Sequence, residues 1–296
     1  FLVIFLSLLA ALLLTHFIEN PFRFNPRLKF SLPQWGLALS TISILSFATL
    51  ALPAQAKTNL DLRSPAVYTN GCHLSFNKDW PDHSCSFGDL KGKRSIYLVG
   101  DSHAAQWFNG INEIAQREHI RLVSLTKSSC PTVLIPILRN GKVDQSCSHW
   151  QKGVITSIKV HKPDLLLISA YTEFQYQTIL RGPYVQVWRQ GLGDFLSQIG
   201  EINVAFLGDT PHPPFNIPSC LSTKKNCDFE LTRTSTTKAI EEIFGVSYIE
   251  TSHWFCNPQC EATTSSKNNY RDATHISVSA STRLEPQLWK AISSLL

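Results

Sequence analysis

Residues 96–104 of this 296-residue chain read IYLVGDSHA and join an apolar run to a helical pattern. The apolar run at 96–99 predicts a buried strand, and the apolar positions of residues 104–115 recur at helical spacing. Ser102 is therefore predicted to stand at a strand-to-helix turn. Such a turn presents a side chain at the carboxyl edge of a parallel sheet, where ligands bind in open α/β folds. Backbone N–H groups at the start of the helix can face an anionic oxygen.

A second motif, Asp272-Ala-Thr-His275, lies near the far end of the chain, just before a pattern typical of an amphipathic terminal helix. A serine hydroxyl is a poor nucleophile unless an imidazole takes its proton and a third group holds that imidazole. Ser102, His275 and Asp272 are candidates for these three roles. Taken alone, Ser102 and Asp101 could be only a helix cap and a turn residue. The distant second motif favours the catalytic interpretation.

The two motifs resemble those of the SGNH, or GDSL-like, hydrolases, which carry Gly-Asp-Ser near the start of the domain and Asp-x-x-His near its end. The resemblance implies that Ser102 is the nucleophile, His275 the base and Asp272 the residue that orients the base. It also implies a three-layer α/β/α domain with a parallel sheet. The leucine that usually follows the serine is replaced by His103, for which we expect a stacking or hydrogen-bonding role.

The region of the oxyanion hole departs from the family pattern. The family supplies a glycine N–H and an asparagine side chain, whereas the loops after the second and third predicted strands read LTKSSCP at 125–131 and SAYTE at 169–173. The backbone N–H of Ser102 should remain available as a donor. Backbone N–H groups of Ser128, Ser129 or Tyr171 are candidates for the other donors, and the sequence does not choose among them.

Strands and helices alternate through the rest of the domain. Three more strands are predicted from short apolar runs at 122–125, 165–168 and 204–207. Helical patterns lie between them at 148–160, 184–199 and 231–244. This alternation favours a parallel sheet covered on both faces. We assign residues 95–296 to one α/β catalytic domain and residues 57–94 to a linking segment that packs on it.

The front of the chain is much more apolar. Residues 1–17 are almost wholly apolar, and residues 32–53 contain no charged residue. Because a membrane span needs about 20 apolar residues, residues 1–56 are predicted to form two transmembrane helices. The positive-inside rule places the basic loop between them in the cytoplasm; this loop carries Arg23, Arg27 and Lys29. A signal peptide is the alternative for the second run, and the apolar run ahead of it argues against that.

The first apolar run closes with the pattern Glu19-x-Pro21-x-Arg23. This pattern resembles the end of the last core helix in the acyltransferase family 3 membrane O-acetyltransferases. In fused members of that family a further helix leads into a periplasmic SGNH domain, which is the same order. The chain is therefore expected to be the C-terminal part of a longer protein, with an upstream membrane domain as its partner. The resemblance implies a bacterial inner-membrane protein whose SGNH-like domain lies in the periplasm.

All eight cysteines follow the second apolar run, and an even number outside the cytoplasm indicates disulfides. Because short loops close most easily, sequence neighbours are predicted to pair: Cys72 with Cys85, Cys130 with Cys147, Cys220 with Cys227, and Cys256 with Cys260. Zinc is the alternative for the last pair, which has His253 nearby. No second close cysteine pair with ligand spacing accompanies it, so no metal is expected.

The formal net charge is only +5, with no phosphate-binding loop and no long run of charge, so nucleic-acid binding is not expected. Aromatic residues that follow the predicted strand ends, such as Tyr171, Phe174 and Tyr176, could stack on sugar rings.

The resemblance implies an O-acetyltransferase that passes an acetyl group from a Ser102 acyl-enzyme to a hydroxyl of a cell-envelope polysaccharide. This acceptor would be an O-antigen, peptidoglycan or an exopolysaccharide. No cofactor is expected to bind this fragment, and acetyl-CoA is the expected ultimate donor, through the upstream membrane domain. Two alternatives stay open, a membrane-anchored carbohydrate O-acetyl esterase and a non-catalytic glycan-binding SGNH module.

Overall fold

The computed structural model describes residues 60–224, 226–231 and 245–296, together with positions 5, 9, 12, 13, 15, 16 and 20. The chain divides into two compact units, Phe1–Lys57 and Thr58–Leu296. Among the described residues, none of the helices has the length and apolar character needed to cross a bilayer. The two predicted transmembrane helices, the signal-peptide alternative and the predicted helix at 231–244 fall almost wholly outside the described residues.

A seven-stranded sheet forms the centre of the second unit. Its strands in chain order are β1 (His73–Leu74), β2 (Ser86–Gly88), β3 (Arg94–Gly100), β4 (Ile120–Lys127), β5 (Leu165–Ser169), β6 (Val204–Leu207) and β7 (Ser247–Ile249). The spatial order is β1-β4-β3-β5-β6-β7, with every neighbouring pair parallel. Strand β2 pairs antiparallel with β4. The four strands predicted from the sequence correspond to β3, β4, β5 and β6.

Eight α-helices are described: α1 (Ala66–Thr69), α2 (Ser102–Ala105), α3 (Phe108–Arg117), α4 (Gln145–His161), α5 (Tyr184–Ile199), α6 (Ile217–Thr223), α7 (Val278–Arg283) and α8 (Glu285–Ile292). Two short 3-10 helices lie at Ser252–Trp254 and Ser293–Leu295. Three small antiparallel pairs lie outside the central sheet: Leu138–Arg139 with Lys142–Val143, Phe229–Glu230 with Gln259–Cys260, and Thr263–Thr264 with Lys267–Asn268.

Strand β3 is buried on both faces, because alternate side chains enter two different cores. Ile96 and Leu98 pack in the core that includes apolar residues of α3 and α8. Tyr97 and Val99 pack in the core that includes apolar residues of α4 and α5. Each fully buried aliphatic side chain of this kind contributes about 1.5–3 kcal/mol. The helices therefore cover both faces of a mostly parallel sheet, and the predicted three-layer α/β/α fold is confirmed.

Two glycines allow the close approaches that position the end of β3 and the loop before α7. Gly100 has φ +150°, and a Cβ there would lie 1.9 Å from the carbonyl oxygen of Ser169. Gly110 of α3 packs so tightly on α7 that a Cβ would lie 2.3 Å from the Ser281 oxygen. Neither position tolerates a side chain without backbone movement, so α2 and α7 keep fixed places relative to the sheet.

Four disulfide bonds join Cys72 to Cys85, Cys130 to Cys147, Cys220 to Cys227, and Cys256 to Cys260. These are the same pairs that the sequence analysis gives. The first of them holds the segment that contains β1 and leads into β2. The described part of the segment expected to link and pack on the domain thus contributes two strands to the central sheet. Strands of two or three residues are too short to show a periodic pattern in the sequence.

Candidate active site

The turn between β3 and α2 is held by the buried carboxylate of Asp101. Its Oδ1 accepts a hydrogen bond from the backbone N–H of His103 at 2.8 Å and so caps α2. Its Oδ2 accepts from the N–H of Tyr171 at 2.9 Å and from the hydroxyl of Tyr176 at 2.8 Å. A buried carboxylate requires such donors, and they tie the turn that carries Ser102 to the segment that follows β5.

Ser102, His275 and Asp272 form a continuous chain of contacts. Nε2 of His275 lies 2.8 Å from Oγ of Ser102, and its Nδ1 lies 3.0 and 3.1 Å from the two carboxylate oxygens of Asp272. The backbone N–H groups of Thr274 and His275 also donate to Asp272 Oδ1, at 2.9 and 2.8 Å. The structure therefore brings together the three residues that the sequence analysis gives as a triad. Their order is that of a nucleophile, a base and an orienting carboxylate.

The loop that carries Asp272 and His275 is fixed at its exit. The N–H of Ile276 donates to the buried side chain of Gln106, the residue after α2, at 2.9 Å. Ser277 caps α7 by accepting from the N–H of Ala280 at 3.1 Å, and its hydroxyl donates to the carbonyl of Asn268 at 2.6 Å. These bonds hold the segment directly after His275 against the turn of Ser102 and against the start of α7.

Burial alone would raise the pKa of the Asp272 carboxyl, but the hydrogen bond and charge of His275 and the two backbone donors hold that pKa well below its usual range. For His275, burial lowers the pKa below the usual 6.5. The charges of His103 and Arg271 act in the same direction, while Asp272 raises the pKa. His275 is therefore neutral at pH 7 and able to accept a proton.

A second, buried cluster lies beside the triad and is centred on Asp209. Oδ1 of Asp209 accepts from Nδ1 of His103 at 2.7 Å and from the N–H of Thr210 at 2.9 Å. Oδ2 accepts from the N–H of Thr172 at 3.0 Å, and Nε2 of His212 lies 3.1 Å away. One carboxylate thus joins the ends of β5 and β6 to the helix that starts at Ser102.

His212 completes this cluster, which we call the Asp209 hub: His103, Thr172, Glu173, Asp209, Thr210 and His212. Its Nδ1 lies 2.8 Å from Oε2 of Glu173. Burial alone would lower the pKa of His212, but the Asp209 and Glu173 carboxylates raise it to about 10. Burial would likewise raise the pKa of Asp209, but the charges and hydrogen bonds of His103 and His212 hold it well below its usual range.

The sequence analysis gives His103 a hydrogen-bonding or stacking role but assigns no role to Asp209 or His212. One signal could have found them. Asp209 directly follows a predicted strand and a glycine, as Asp101 does. Carboxyl ends of neighbouring parallel strands meet at one sheet edge, so both acids were bound to lie close to Ser102.

Two groups of side chains in the described residues have the composition of a metal site. In the first, the sulfur atoms of Cys72 and Cys85 form a disulfide, so neither can act as a thiolate ligand. In the second, His103, Asp209 and His212, the Asp209 carboxylate accepts hydrogen bonds from Nδ1 of His103 and from the backbone N–H groups of Thr210 and Thr172, and it lies 3.1 Å from Nε2 of His212. The Asp209 carboxylate is thus already occupied by three hydrogen-bond donors and by the ion pair with His212. The zinc alternative at Cys256 and Cys260 fails for the reason given for Cys72 and Cys85: these two residues also form a disulfide, so neither can act as a thiolate ligand.

Two of the candidate oxyanion donors are engaged elsewhere. The N–H of Ser128 donates to the carbonyl of Leu74 at 2.9 Å, because β1 continues its pairing beside β4. The N–H of Tyr171 donates to Asp101. Both N–H groups therefore already have an acceptor, which disfavours Ser128 and Tyr171 as donors to an oxyanion. The candidate donors narrow to Ser102 and to Ser129, which has a left-handed backbone with φ 49° in the loop after β4.

A parallel sheet with a serine at the end of a central strand, and with a histidine that contacts it from a loop near the C-terminus, is typical of α/β domains that use a serine nucleophile. Residues 71–290 match the model of the family described as the SGNH domain fused to AT3 domains, where AT3 stands for acyltransferase family 3. The chain belongs to this family. The resemblance drawn from the sequence motifs is thereby confirmed.

Among solved structures, the chain is similar to the periplasmic domain of a lipopolysaccharide acetyltransferase from Salmonella ser. Paratyphi A. The two chains share 17% sequence identity, over 77% of this chain and 87% of that one, with a TM-score of 0.54. At this identity the similarity establishes the fold. No curated protein matches the chain.

Proposed function

We propose that this protein is an O-acetyltransferase that moves an acetyl group through Ser102 onto a hydroxyl of a cell-envelope polysaccharide. The observation that carries the proposal is the hydrogen-bonded chain Ser102–His275–Asp272 in a member of the family fused to AT3 domains. The fold shared with a lipopolysaccharide acetyltransferase domain supports it.

In the first half-reaction His275 Nε2 takes the proton of the Ser102 hydroxyl while Oγ attacks the acetyl carbonyl of the donor. The tetrahedral intermediate collapses, the bond to the donor's leaving group breaks, and His275 returns the proton to that group. Asp272 keeps the proton of the neutral imidazole on Nδ1 and stabilises the imidazolium that forms. The product is an acetyl ester on Ser102.

In the second half-reaction a sugar hydroxyl takes the place of the leaving group. His275 removes its proton, the sugar oxygen attacks the acetyl carbonyl, and Ser102 leaves with the proton that His275 returns. If water attacks instead, the same residues make the protein an esterase. The same base can activate either acceptor, so hydrolysis is the competing outcome. A purely glycan-binding module would not need the triad geometry.

The donor and the location complete the proposal. We infer that acetyl-CoA is the ultimate donor and that an upstream AT3 membrane domain delivers the acetyl group, since the family joins the two domains. The protein would be held in the inner membrane of a bacterium, with the SGNH domain in the periplasm. Four disulfides are typical of an oxidising compartment of this kind.

The test is mass spectrometry of the full chain after incubation with 4-nitrophenyl acetate, with and without an envelope oligosaccharide. Acetyl is expected first on Ser102 and then on the sugar, and Ser102→Ala should carry none. Ser197→Ala is the matched control, because Ser197 is exposed on α5 and its hydroxyl bonds only locally, to the carbonyl of Asp194. Acetyl transfer that persists in Ser102→Ala would refute the proposal. Release to water that the sugar does not reduce would identify the esterase.

A further inference from the structure

Four neighbouring rings lead from solvent to the proposed base, and the outer three of them are stacked. The ring of Phe174 stacks on Tyr171, with centroids 5.6 Å apart and planes at 27°. Tyr171 stacks on His103 at 4.2 Å and 10°. His103 in turn lies 4.7 Å from the ring of His275. The inner ring of His103 is fully buried, whereas Phe174 at the outer end is 49% exposed.

The outer part of this stack and the nucleophile share one anchor. Asp101, the residue before Ser102, accepts hydrogen bonds from the N–H of Tyr171 and from the hydroxyl of Tyr176. The ring of Tyr176 packs edge-on against Phe174, with centroids 4.9 Å apart and planes at 81°. Asp101 therefore ties the aromatic segment to the turn that carries Ser102.

The backbone around Phe174 is also held. The hydroxyl of Tyr184 donates to the carbonyl of Phe174 at 3.1 Å and accepts from the N–H of Tyr176 at 3.2 Å. An exposed aromatic ring that is rigid before binding loses little conformational entropy when a ligand covers it. Isolated exposed apolar side chains are common on protein surfaces. A half-exposed ring fixed relative to a nucleophile is a more specific arrangement.

A polar side chain borders the exposed ring of Phe174, and this distinguishes among the ligands that could bind there. Glu173, next to Phe174, has a side chain that is 21% exposed and is oriented by Nδ1 of His212. A pyranose ring has a face of C–H groups, which suits an aromatic ring, and a rim of hydroxyls, which suits a carboxylate acceptor. A hydrocarbon chain would use only the first of these surfaces.

We propose that Phe174, backed by Tyr171 on its inner face, forms a subsite that binds a pyranose ring of the acceptor, with the sugar hydroxyls donating to Glu173. This inference rests on the proposed function, because it assigns the surface that presents a glycan to the Ser102 acetyl ester. It adds a named subsite, a ligand class and a geometry in which the sugar lies flat on Phe174.

The test is saturation-transfer NMR on the full chain with the methyl α-glycosides of glucose, galactose, mannose and rhamnose, without any acetyl donor. Transfer to the C–H protons of at least one glycoside is expected. Phe174→Ala should weaken that binding by about 10-fold, the loss expected for one aromatic contact, while Phe174→Trp should retain it. Trp80→Ala is the matched control, since Trp80 is 40% exposed but packs on Gly153 of α4, outside the stack.

Unchanged transfer in Phe174→Ala, or no transfer to any of the four glycosides with the wild-type chain, would overturn the subsite. A third result would also overturn it: Phe174→Ala retains glycoside binding but changes the relative rates at which the protein cleaves aryl acetates and longer aryl esters. Phe174 would then contact the acyl group and not the sugar. The binding measurement uses no acyl donor. A chain that binds glycosides through Phe174 but transfers no acetyl would therefore contradict the proposed function and leave the subsite standing.

Discussion

Two aspartate–histidine pairs lie beside Ser102, and they differ in origin and in surroundings. Asp272 and His275 come from one loop, three residues apart, and their side chains are 40% and 19% exposed. Asp209 and His103 are 106 residues apart in the chain, and their side chains are 2% and 0% exposed. In both pairs Nδ1 of the imidazole faces a carboxylate oxygen.

The two pairs differ in what the second imidazole nitrogen, Nε2, contacts. Nε2 of His275 faces the Ser102 hydroxyl. Nε2 of His103 is buried and, within the part of the chain that the structure describes, makes no hydrogen bond. A base must exchange its proton with a reacting group, which a sealed imidazole cannot do. Access to the reacting atom, and not the aspartate–histidine contact itself, therefore distinguishes a base from a structural histidine.

The largest loss of activity is expected when either residue of the exposed pair, Asp272 and His275, is replaced. His275→Ala should lower the rate of Ser102 acetylation by about 10⁴-fold or more, and Asp272→Asn by about 10³–10⁴-fold, because the first removes the base and the second leaves it in the wrong tautomer. The rate is measured by the release of nitrophenol from 4-nitrophenyl acetate. His103→Gln is the control from the buried pair and should lose less than about 100-fold. Equal losses at the two histidines would remove the distinction between the pairs.

The next effect concerns stability and falls on the buried pair. Asp209→Asn removes the carboxylate charge that faces His212 inside the protein, and breaking a buried ion pair costs about 3–5 kcal/mol. Asp272→Asn is the matched control. Because the Asp272 side chain is 40% exposed, solvent screens its interactions, and its loss should cost less stability than the loss of the Asp209 charge. The free energy of unfolding is measured by urea titration followed by tryptophan fluorescence. Similar losses in the two variants would contradict the role of Asp209 as a hub.

The same pair makes a prediction about pH. The pKa of His212 is raised from 6.5 to about 10 in the folded protein, so its contribution to stability is fully present below pH 6.5 and is lost as the pH rises through 10. Unfolding titrations between these limits should show the wild type losing more stability than Asp209→Asn. Parallel curves for the two proteins would show that Asp209 does not hold the charge of His212.

The contrast between the pairs also explains what the sequence could predict. Asp272 and His275 are three residues apart, and Ser102 stands in a strand-to-helix motif, so each half of the site has a local pattern, and the family resemblance joins the two halves. Asp209 and His212 are also three residues apart, but His103, Thr172 and Glu173 come from other strand ends and meet them only when β3, β5 and β6 align. The oxyanion candidates depended on backbone donors, and those of Ser128 and Tyr171 are used by Leu74 and Asp101. Which N–H is free is a property of the folded chain.

The smallest predicted effect is a shift in the pH dependence of acetylation when a charge near His275 is removed. Its pKa lies below 6.5, and only the neutral imidazole acts as a base, so the acetylation rate should rise with pH to a plateau, with a midpoint below pH 6.5. Nε of Arg271 lies 4.0 Å from Oδ2 of Asp272, and the charge of Arg271 lowers the pKa of His275. Arg271→Gln should therefore move the midpoint to higher pH, by less than about one unit for a single nearby charge.

The opposite shift is expected from Asp272→Asn, because Asp272 is the group that raises the pKa of His275. Its residual activity should show a midpoint at lower pH than the wild type. Arg117→Gln is the control for a general change of charge, since Arg117 pairs with Glu118 and Glu285 on the outer side of α3 and α8. A midpoint that moves in the same direction in Arg271→Gln and Asp272→Asn would mean that these variants act through loop geometry. Opposite shifts would mean that the charges of Arg271 and Asp272 act directly on the pKa of His275.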